Sequence, residues 1–270
     1  MIRKNSPLAK EFWEKGFVES CPVYDMHGHM GTHYAIYFAA PNAPEMVKLI
    51  KRANVKKLCF SHHFSLWATN YVGQDPALEA CKQFPDYLRF YCGINPNFPE
   101  QMMADLKKVA EWMPYCIGLK FLADYHKVPV NAEPYRPALE FANALHLPIL
   151  FHTWSMSPYD GPDIMKDIIP KYPNITYILG HCFNSQWQVA GEIAKQYDNV
   201  YLELTSVPGT RGALETMVNI CGSEKILFGT DMPWFDEHQG IGGLLSAQIS
   251  DDDVHNILHR NAEKILAPFI

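Results

Sequence analysis

The feature that most constrains the fold is a recurrence of short β-rich runs at a nearly regular spacing. Eight such runs begin at positions 22, 55, 87, 116, 147, 175, 199 and 226, so that consecutive starts are 24 to 33 residues apart. Segments with helical apolar spacing lie between them, including Glu100–Trp112, Pro134–His146, Asp163–Tyr172 and Gln186–Tyr197. Strands that alternate with helices in this way predict a series of parallel βα units.

Eight βα units in 270 residues predict one closed (βα)8 TIM barrel, since such barrels commonly span about 250 residues as a single domain. A doubly wound dinucleotide-binding sheet is the alternative, but no Gly-x-Gly-x-x-Gly follows the first strand. No linker or low-complexity stretch marks a boundary, so we expect a single domain over residues 1–270. Its last element is predicted as a helix near 250–267 with Ser250 as the N-cap.

Composition and charge exclude several classes of function. The net charge is -6 and no Lys/Arg run exceeds that of a solvated helix face, so we expect no nucleic-acid partner. The seven cysteines form no Cys-x-x-Cys pair, which favours reduced thiols in a cytoplasmic protein. The amino terminus lacks a signal-peptide core and no apolar run approaches ~20 residues, so we expect no membrane partner. A homodimer is a candidate assembly.

Residues able to bind a metal follow the predicted strands at one end. Asp25, His27 and His29 in "YDMHGHM" share one face of the first strand, because strand side chains alternate. The strand-end residues of four further strands are Lys120, His152, His181 and Asp231. The carboxyl ends of all strands of a (βα)8 barrel meet on one face, where active sites are built. Taken singly, each histidine could be a hydrogen-bonded structural residue, and Asp231 could belong to a turn.

The conjunction of these residues at one barrel end favours a metal site. Unpaired polar groups in a shared cavity would each cost about 1–3 kcal/mol, whereas one cation would give all of them a partner. Imidazole and carboxylate ligands suit zinc, manganese or iron, and a catalytic site keeps an open position for water. We therefore expect a divalent-metal cofactor of one or two ions, with zinc as the first candidate and manganese or iron as alternatives.

The same motifs carry a family resemblance. In this order, "DMHGH", "GLK", "ILFHT", "ILGHC" and "ILFGTDMP" resemble the amidohydrolase superfamily. The resemblance is strongest to its branch of TIM-barrel metal-dependent hydrolases related to aminocarboxymuconate-semialdehyde decarboxylase. It extends from about Pro22 to the closing "RNAEKIL". These motifs specify the superfamily and the fold, and they do not name a substrate.

The resemblance implies a role for each matching residue. The implied metal ligands are His27, His29, His152 and Asp231. His181 would be either a ligand of a second metal or the group that handles the proton of the metal-bound water. Lys120 matches a position that in some superfamily members is a carboxylated lysine bridging two metals, whereas the decarboxylase-like members generally use one metal. Asp25 lies deeper on the same face and suits an acceptor that orients a histidine.

Weaker candidates lie in the loops and could complete a substrate pocket. Trp154 and Trp234 follow strands five and eight and could form the wall of a pocket for a flat substrate, or could be packed loop aromatics. Arg211 could pair with a substrate carboxylate through its fork of donors, or could face water at a helix start. Of the adjacent His62 and His63 after strand two, one could reach the pocket, or both could be structural.

The sequence therefore predicts a metal-dependent enzyme that acts on a small, anionic substrate. The leading reaction is hydrolysis of an amide, lactone or ester: the cation acidifies a bound water, and Asp231, or else His181, moves the proton. The alternative is a lyase that decarboxylates or hydrates a small unsaturated acid, since the metal serves both reactions. A barrel that holds a ligand or a structural metal without turnover is disfavoured, because structural zinc sites are usually closed.

Overall fold

Eight parallel strands surrounded by helices make up the computed structural model, which describes residues 5–66 and 73–270. The strands are β1 (Val23–Met30), β2 (Val55–His62), β3 (Leu88–Ile94), β4 (Cys116–Phe121), β5 (Pro148–His152), β6 (Thr176–Gly180), β7 (Val200–Glu203) and β8 (Ile226–Leu227). They are hydrogen-bonded in chain order, each parallel to the next. All eight predicted runs form strands.

The sheet closes on itself through the segment that follows β8. Three backbone hydrogen bonds of 2.6 to 3.0 Å join residues 228–232 to β1. In one of them, the N–H of Asp231 donates to the carbonyl of His27 at 2.7 Å. Gly28 and Met232 also form a parallel bridge. The last strand is thereby joined to the first, and the predicted (βα)8 barrel is confirmed.

Helices connect the strands, as the apolar periodicity predicts. Within the described residues the α-helices are α1 (Pro7–Lys15), α2 (Ala43–Arg52), α3 (His63–Leu66), α4 (Asp75–Gln83), α5 (Pro99–Trp112), α6 (Ala123–His126), α7 (Arg136–Leu145), α8 (Pro162–Ile168), α9 (Trp187–Gln196), α10 (Ala213–Cys221), α11 (Glu237–Ser246), α12 (Asp251–His255) and α13 (Asn261–Leu266). The side chain of Ser250 accepts from the N–H of Asp253, whose side chain accepts from the N–H of Ser250 in return, which forms a capping box at α12. A π-helical turn, Asn256–Arg260, joins α12 to α13.

The hydrophobic core fills the space between the strands and the helices. Every residue of β3 and of β4 is buried, as expected of parallel strands that are covered on both faces. All seven cysteines are free thiols, and six of them are buried. No helix in the described part of the chain combines the length and the apolar character that crossing a membrane requires.

The barrel interior becomes polar toward the carboxyl ends of the strands. Asp25, His27, Lys120, Glu203 and Thr205 are all buried there, with at most 1% of their surface exposed. Burying ionisable groups costs free energy unless they pair with one another or bind an ion. These side chains therefore depend on partners within the barrel or on a bound ion.

His126 gives a prediction about stability that is independent of that polar region. Its Nδ1 lies 2.6 Å from the hydroxyl of Tyr135 and its Nε2 lies 2.6 Å from the carbonyl of Leu66. Burial lowers the pKa of His126 to about 4. Because a histidine in the unfolded chain titrates near 6.5, the unfolded state takes up this proton first as the pH falls. The free energy of unfolding should fall by up to about 3 kcal/mol between pH 6.5 and pH 4 on account of this residue.

We expect the substitution His126→Gln to flatten this pH dependence, because glutamine does not titrate. Urea unfolding of the parent and the variant across the acidic range measures the difference. His146→Asn, at an exposed histidine, is the matched control and should leave the slope unchanged. Parallel slopes for the parent and His126→Gln would show that His126 does not titrate as its burial implies.

Candidate metal centre

Three side chains converge on one point at the seam between β1 and the segment that follows β8. Ligand atoms of His27, His29 and Asp231 all lie within 4.8 Å of one another. Oδ1 of Asp231 is 2.8 Å from Nε2 of His29 and 3.4 Å from Nε2 of His27. This oxygen is buried and has no directional hydrogen bond in spite of these short distances. A buried oxygen of this kind calls for a further partner, and a cation would supply one.

The backbone that carries Asp231 is shaped to bring the carboxylate to this point. Asp231 has a φ of 64°, in the left-handed region, and His181 has a φ of 63°. Gly229, two residues before Asp231, packs directly on the first strand. A Cβ at Gly229 would collide with Oε1 of Glu203 and would lie 2.9 Å from Cβ of His27. Only glycine lets the chain pass here at this distance.

Both ring nitrogens of His27 have close partners. Nδ1 lies 2.7 Å from Oε2 of Glu203, and Nε2 lies 2.8 Å from Nζ of Lys120. Because Nδ1 faces a carboxylate, it carries the proton and donates to Glu203. The lone pair of Nε2 then points away from Glu203, toward the side of the ring on which Lys120 lies. Thr205 holds Glu203 in turn, through hydrogen bonds of 2.7 Å to Oε1 from its N–H and its hydroxyl.

Glu203 is a site residue that the sequence reasoning missed. It lies in "NVYLEL" at the end of β7, the same strand-end position that identified five other strands. Asp25 was expected to be an acceptor that orients a histidine. Its carboxylate accepts from the backbone N–H of His27 at 2.9 Å, rather than from the ring, and from the N–H and hydroxyl of Thr230. Asp25 therefore fixes the backbone across the barrel seam, and Glu203 orients the ring.

Burial determines the protonation of this group. It lowers the pKa values of His27 and His29, so both imidazoles are neutral at pH 7, as metal ligands must be. Burial raises the pKa of Glu203 to about 7 and lowers the pKa of Lys120 to about 8. Burial also opposes ionisation of Asp231, but the adjoining His27 and His29 side chains hold the pKa of Asp231 well below its usual range. The centre thus combines neutral imidazoles with one carboxylate.

His152 and His181 lie on the other side of the same cavity. Nδ1 of His152 is 3.1 Å from Oδ2 of the buried Asp160, which orients the ring. The ring centroids of His152 and His181 are 4.8 Å apart, and those of His27 and His181 are 5.3 Å apart. Nδ1 of His181 is buried without a hydrogen-bond partner, and burial lowers the pKa of His181. Neither histidine belongs to the set of ligand atoms within 4.8 Å.

A cavity of about 190 Å³ opens above these side chains. Eight residues predicted from the sequence line it: His27, His29, Lys120, His152, His181, Asp231, Trp154 and Trp234. Leu122, Tyr125, Ser206 and Phe235 also line it, and sequence reasoning did not single them out. These four lie in loops or short helices, where no periodic signal shows which side chain faces the barrel mouth.

For Arg211 and His62 the structure differs from the expectation. Arg211 is exposed ahead of α10 and lines a neighbouring cavity. His62 packs against Gly31, and its Nδ1 accepts from the N–H of Phe64. Neither residue lines the cavity above His27, His29 and Asp231. It is His63 that approaches this group, because its ring stacks on His29 with the centroids 4.8 Å apart.

The hydrogen bond between His27 and Glu203 generates a prediction. We expect Glu203→Gln to weaken divalent-metal binding about 10- to 100-fold, because an amide accepts the Nδ1 proton more weakly than a carboxylate does. Competition against a chromophoric chelator, with protein that has been stripped of metal, measures the affinity. Glu192→Gln on the exposed side of α9 is the matched control. Equal affinities of Glu203→Gln and the parent would contradict the orienting role.

Comparison with known proteins finds a family whose sequence pattern this chain matches. The sequence model of the amidohydrolase family matches residues 68–267. The match includes Lys120, His152, His181 and Asp231, and it begins beyond the His27–His29 pair. An uncharacterised metal-dependent hydrolase of Mycoplasma genitalium is 25% identical over 189 residues, which cover 61% of this chain and 69% of that protein.

Solved structures of low sequence identity share the fold. A 5-carboxyvanillate decarboxylase from Novosphingobium aromaticivorans, complexed with manganese, has a TM-score of 0.70 at 12% identity, covering 92% of this chain and 96% of that chain. A dihydroxybenzoic acid decarboxylase from Polaromonas sp. JS666, with bound manganese and 2-nitroresorcinol, has a TM-score of 0.66 at 17% identity, covering 90% and 97%. The sequence match over most of the length, carried on this barrel, shows that the chain belongs to the amidohydrolase family.

Proposed function

We propose that this protein is a metal-dependent decarboxylase of small, flat, conjugated carboxylic acids. The observation that carries the proposal is the composition of the cavity, which joins ligand-type side chains to a wall of aromatic ones. The two decarboxylases with the same fold support it, since they are named for 5-carboxyvanillate and dihydroxybenzoic acid. Hydrolysis, the leading expectation from the sequence, becomes the second candidate.

The side chains present fit a divalent cation. Oδ1 of Asp231 is buried and lacks a directional hydrogen bond, and the neutral imidazoles of His27 and His29 surround it. With His152 they offer nitrogen and oxygen donors, a set that suits Zn²⁺ or Mn²⁺. When bound, such a cation polarises substrate oxygens and lowers the pKa of water.

The aromatic wall fits a planar substrate. The ring of Trp154 lies parallel to that of His152, with an interplanar angle of 10° and a centroid distance of 5.8 Å. Tyr125 meets His152 edge-on, at 85° and 5.9 Å. A conjugated ring or chain can stack on such faces. Planarity matters because a conjugated system must accept the electron pair of the carbon–carbon bond that breaks.

The reaction requires one proton to be delivered. When the bond to the carboxylate carbon breaks, carbon dioxide leaves and a proton is added to the carbon that held it. Asp231 and His181 both line the cavity and are our candidates for carrying this proton. Asp231 is ionised and His181 is neutral in the free protein, so each must first take up a proton from solvent or from a substrate hydroxyl.

The charge state of Lys120 distinguishes the two candidate reactions. As an ammonium it would donate to the substrate carboxylate and offset its charge, which suits a decarboxylase with one metal. The specific observation that favours hydrolysis is that burial lowers the pKa of Lys120 to about 8, beside His27. A neutral amine can add to carbon dioxide and release a proton, which gives a carbamate able to bridge two metals.

Decarboxylation is tested by product analysis on protein loaded with Zn²⁺ or Mn²⁺. We expect equimolar carbon dioxide and decarboxylated product from a member of a panel of hydroxybenzoic and small dienoic acids, with deuterium from D₂O at the vacated carbon. Asp231→Asn should reduce kcat about 100-fold or more, as loss of a general acid does. Asp86→Asn, at an exposed carboxylate, is the control. Oxygen from labelled water in a product formed without carbon dioxide would overturn the lyase and support hydrolysis.

Metal stoichiometry of Lys120→Ala separates one metal from two. If Lys120 acts as an ammonium, as we propose, the variant binds as much metal in the barrel mouth as the parent, and added short carboxylic acids do not restore its activity. One metal fewer per chain, together with rescue by those acids, would instead establish a bridging carbamate and the hydrolase chemistry. Elemental analysis after dialysis measures the metal, with and without the acids.

A further inference from the structure

A second group of ligand-type side chains lies at the opposite end of the barrel. Ligand atoms of Cys21, His255 and His259 are all within 4.8 Å of one another. Cys21 lies two residues before the start of β1, and the two histidines lie at the end of α12 and in the π-helical turn that follows it. At about 3.3 Å per residue, Cys21 is roughly 20 Å from His27 along the first strand. This group is therefore separate from the metal centre described above.

The two imidazoles lie next to each other, with one ring nitrogen of each directed at the other. Nδ1 of His255 lies 3.0 Å from Nε2 of His259, and the rings meet edge-on with an interplanar angle of 83°. The other ring nitrogen of His259, Nδ1, lies 3.1 Å from Oε1 of Glu263. A carboxylate in this position fixes the proton on Nδ1 and directs the lone pair of Nε2 toward the group. The turn that carries His259 is π-helical, a form that is rare and often found at functional sites.

The thiol and the histidines differ in exposure in a way that suits ion binding. Cys21 is fully buried, whereas His255 and His259 are half-buried. Sγ of Cys21 has only a weak contact of 3.5 Å with the carbonyl of Pro22. Arg260 is nearby, but its guanidinium is engaged by Asp252 at 2.6 Å. An ion bound here would be enclosed on the protein side and reachable from solvent on the other.

We propose that Cys21, His255 and His259 form a Zn²⁺ site, with Glu263 as a positioning residue. A thiolate and two imidazoles are ligands that zinc prefers, whereas Mg²⁺ and Ca²⁺ prefer oxygen. The ion would join Cys21, just ahead of β1, to the last helices of the chain. The amino-terminal segment and α12 are already joined by hydrogen bonds from the Ser6 hydroxyl and the Leu8 N–H to the carboxylate of Asp251. The proposed site therefore strengthens an existing connection between the chain ends.

Cobalt distinguishes this site from the one in the barrel mouth, because a thiolate bound to Co²⁺ gives a charge-transfer absorption in the near ultraviolet. Nitrogen and oxygen ligands give none. We expect the Co²⁺-loaded parent to show this band and Cys21→Ser to lose it, with one Zn²⁺ fewer per chain in titrations of stripped protein. Cys221→Ser, at the half-buried thiol that ends α10, is the matched control and should retain both.

Three further variants make the outcome decisive. His255→Asn should also bind one Zn²⁺ fewer, and it tests the site even if Cys21→Ser does not fold. Glu263→Gln should weaken binding about 10- to 100-fold and keep the band at saturating Co²⁺. Asp231→Asn acts on the barrel mouth and should keep the band unchanged. Absence of the band in the parent, or parental zinc stoichiometry in Cys21→Ser and His255→Asn, would overturn the site and leave the proposed decarboxylase unaffected.

Discussion

The backbone hydrogen bonds that close the last strand onto the first are the interaction on which the rest of the structure depends. β8 is regular over only two residues, but the chain continues beside β1 as far as Met232. The N–H of Asp231 donates to the carbonyl of His27, and this bond places side chains from opposite ends of the sequence next to each other. Closure of the barrel and assembly of the candidate metal centre are therefore one structural event.

The polar interior around this seam divides into satisfied and unsatisfied groups. Asp25 accepts from backbone and hydroxyl donors across the seam, and Glu203 accepts from His27 and Thr205. These buried carboxylates have their partners within the protein and act as scaffold. Two buried atoms without a hydrogen bond, Oδ1 of Asp231 and Nδ1 of His181, belong to residues that line the cavity. A buried polar atom of this kind can take a partner from a bound ion or substrate.

The features of the fold and the site that could be predicted from the sequence are those that recur periodically along the chain. Strand spacing predicted the barrel. Alternation along the first strand placed His27 and His29 at one mouth, and strand-end position placed Lys120, His152, His181 and Asp231 there. The choice between His62 and His63 depends on the residue at which β2 ends and α3 begins, which no pattern specifies. Arg211 lies in a loop, whose direction is set by packing. Glu203 also lies at a strand end, but it was not among the predicted site residues.

The second group of ligands was outside the reach of sequence reasoning for a different reason. Cys21 and His259 lie near opposite ends of the chain, and only the docking of the last helices against β1 brings them together. A Cys-x-x-Cys or His-x-His motif can be recognised within a short stretch of sequence. This group, in contrast, has one candidate ligand in one segment and two in another. Sites of this kind become visible only after the tertiary structure is known.

The left-handed backbone at the barrel mouth has a consequence for the evolution of this chain. Asp231 and His181–Phe183 all have positive φ, a conformation that costs most residues about 1–3 kcal/mol and that glycine and asparagine adopt more readily. Selection for stability alone would therefore favour glycine at positions 182 and 183, because cysteine and phenylalanine adopt positive φ less readily than aspartate, asparagine or histidine do. Relief of this strain would move the neighbouring side chains of the barrel mouth, so stability and the geometry of the candidate site are coupled at this bend.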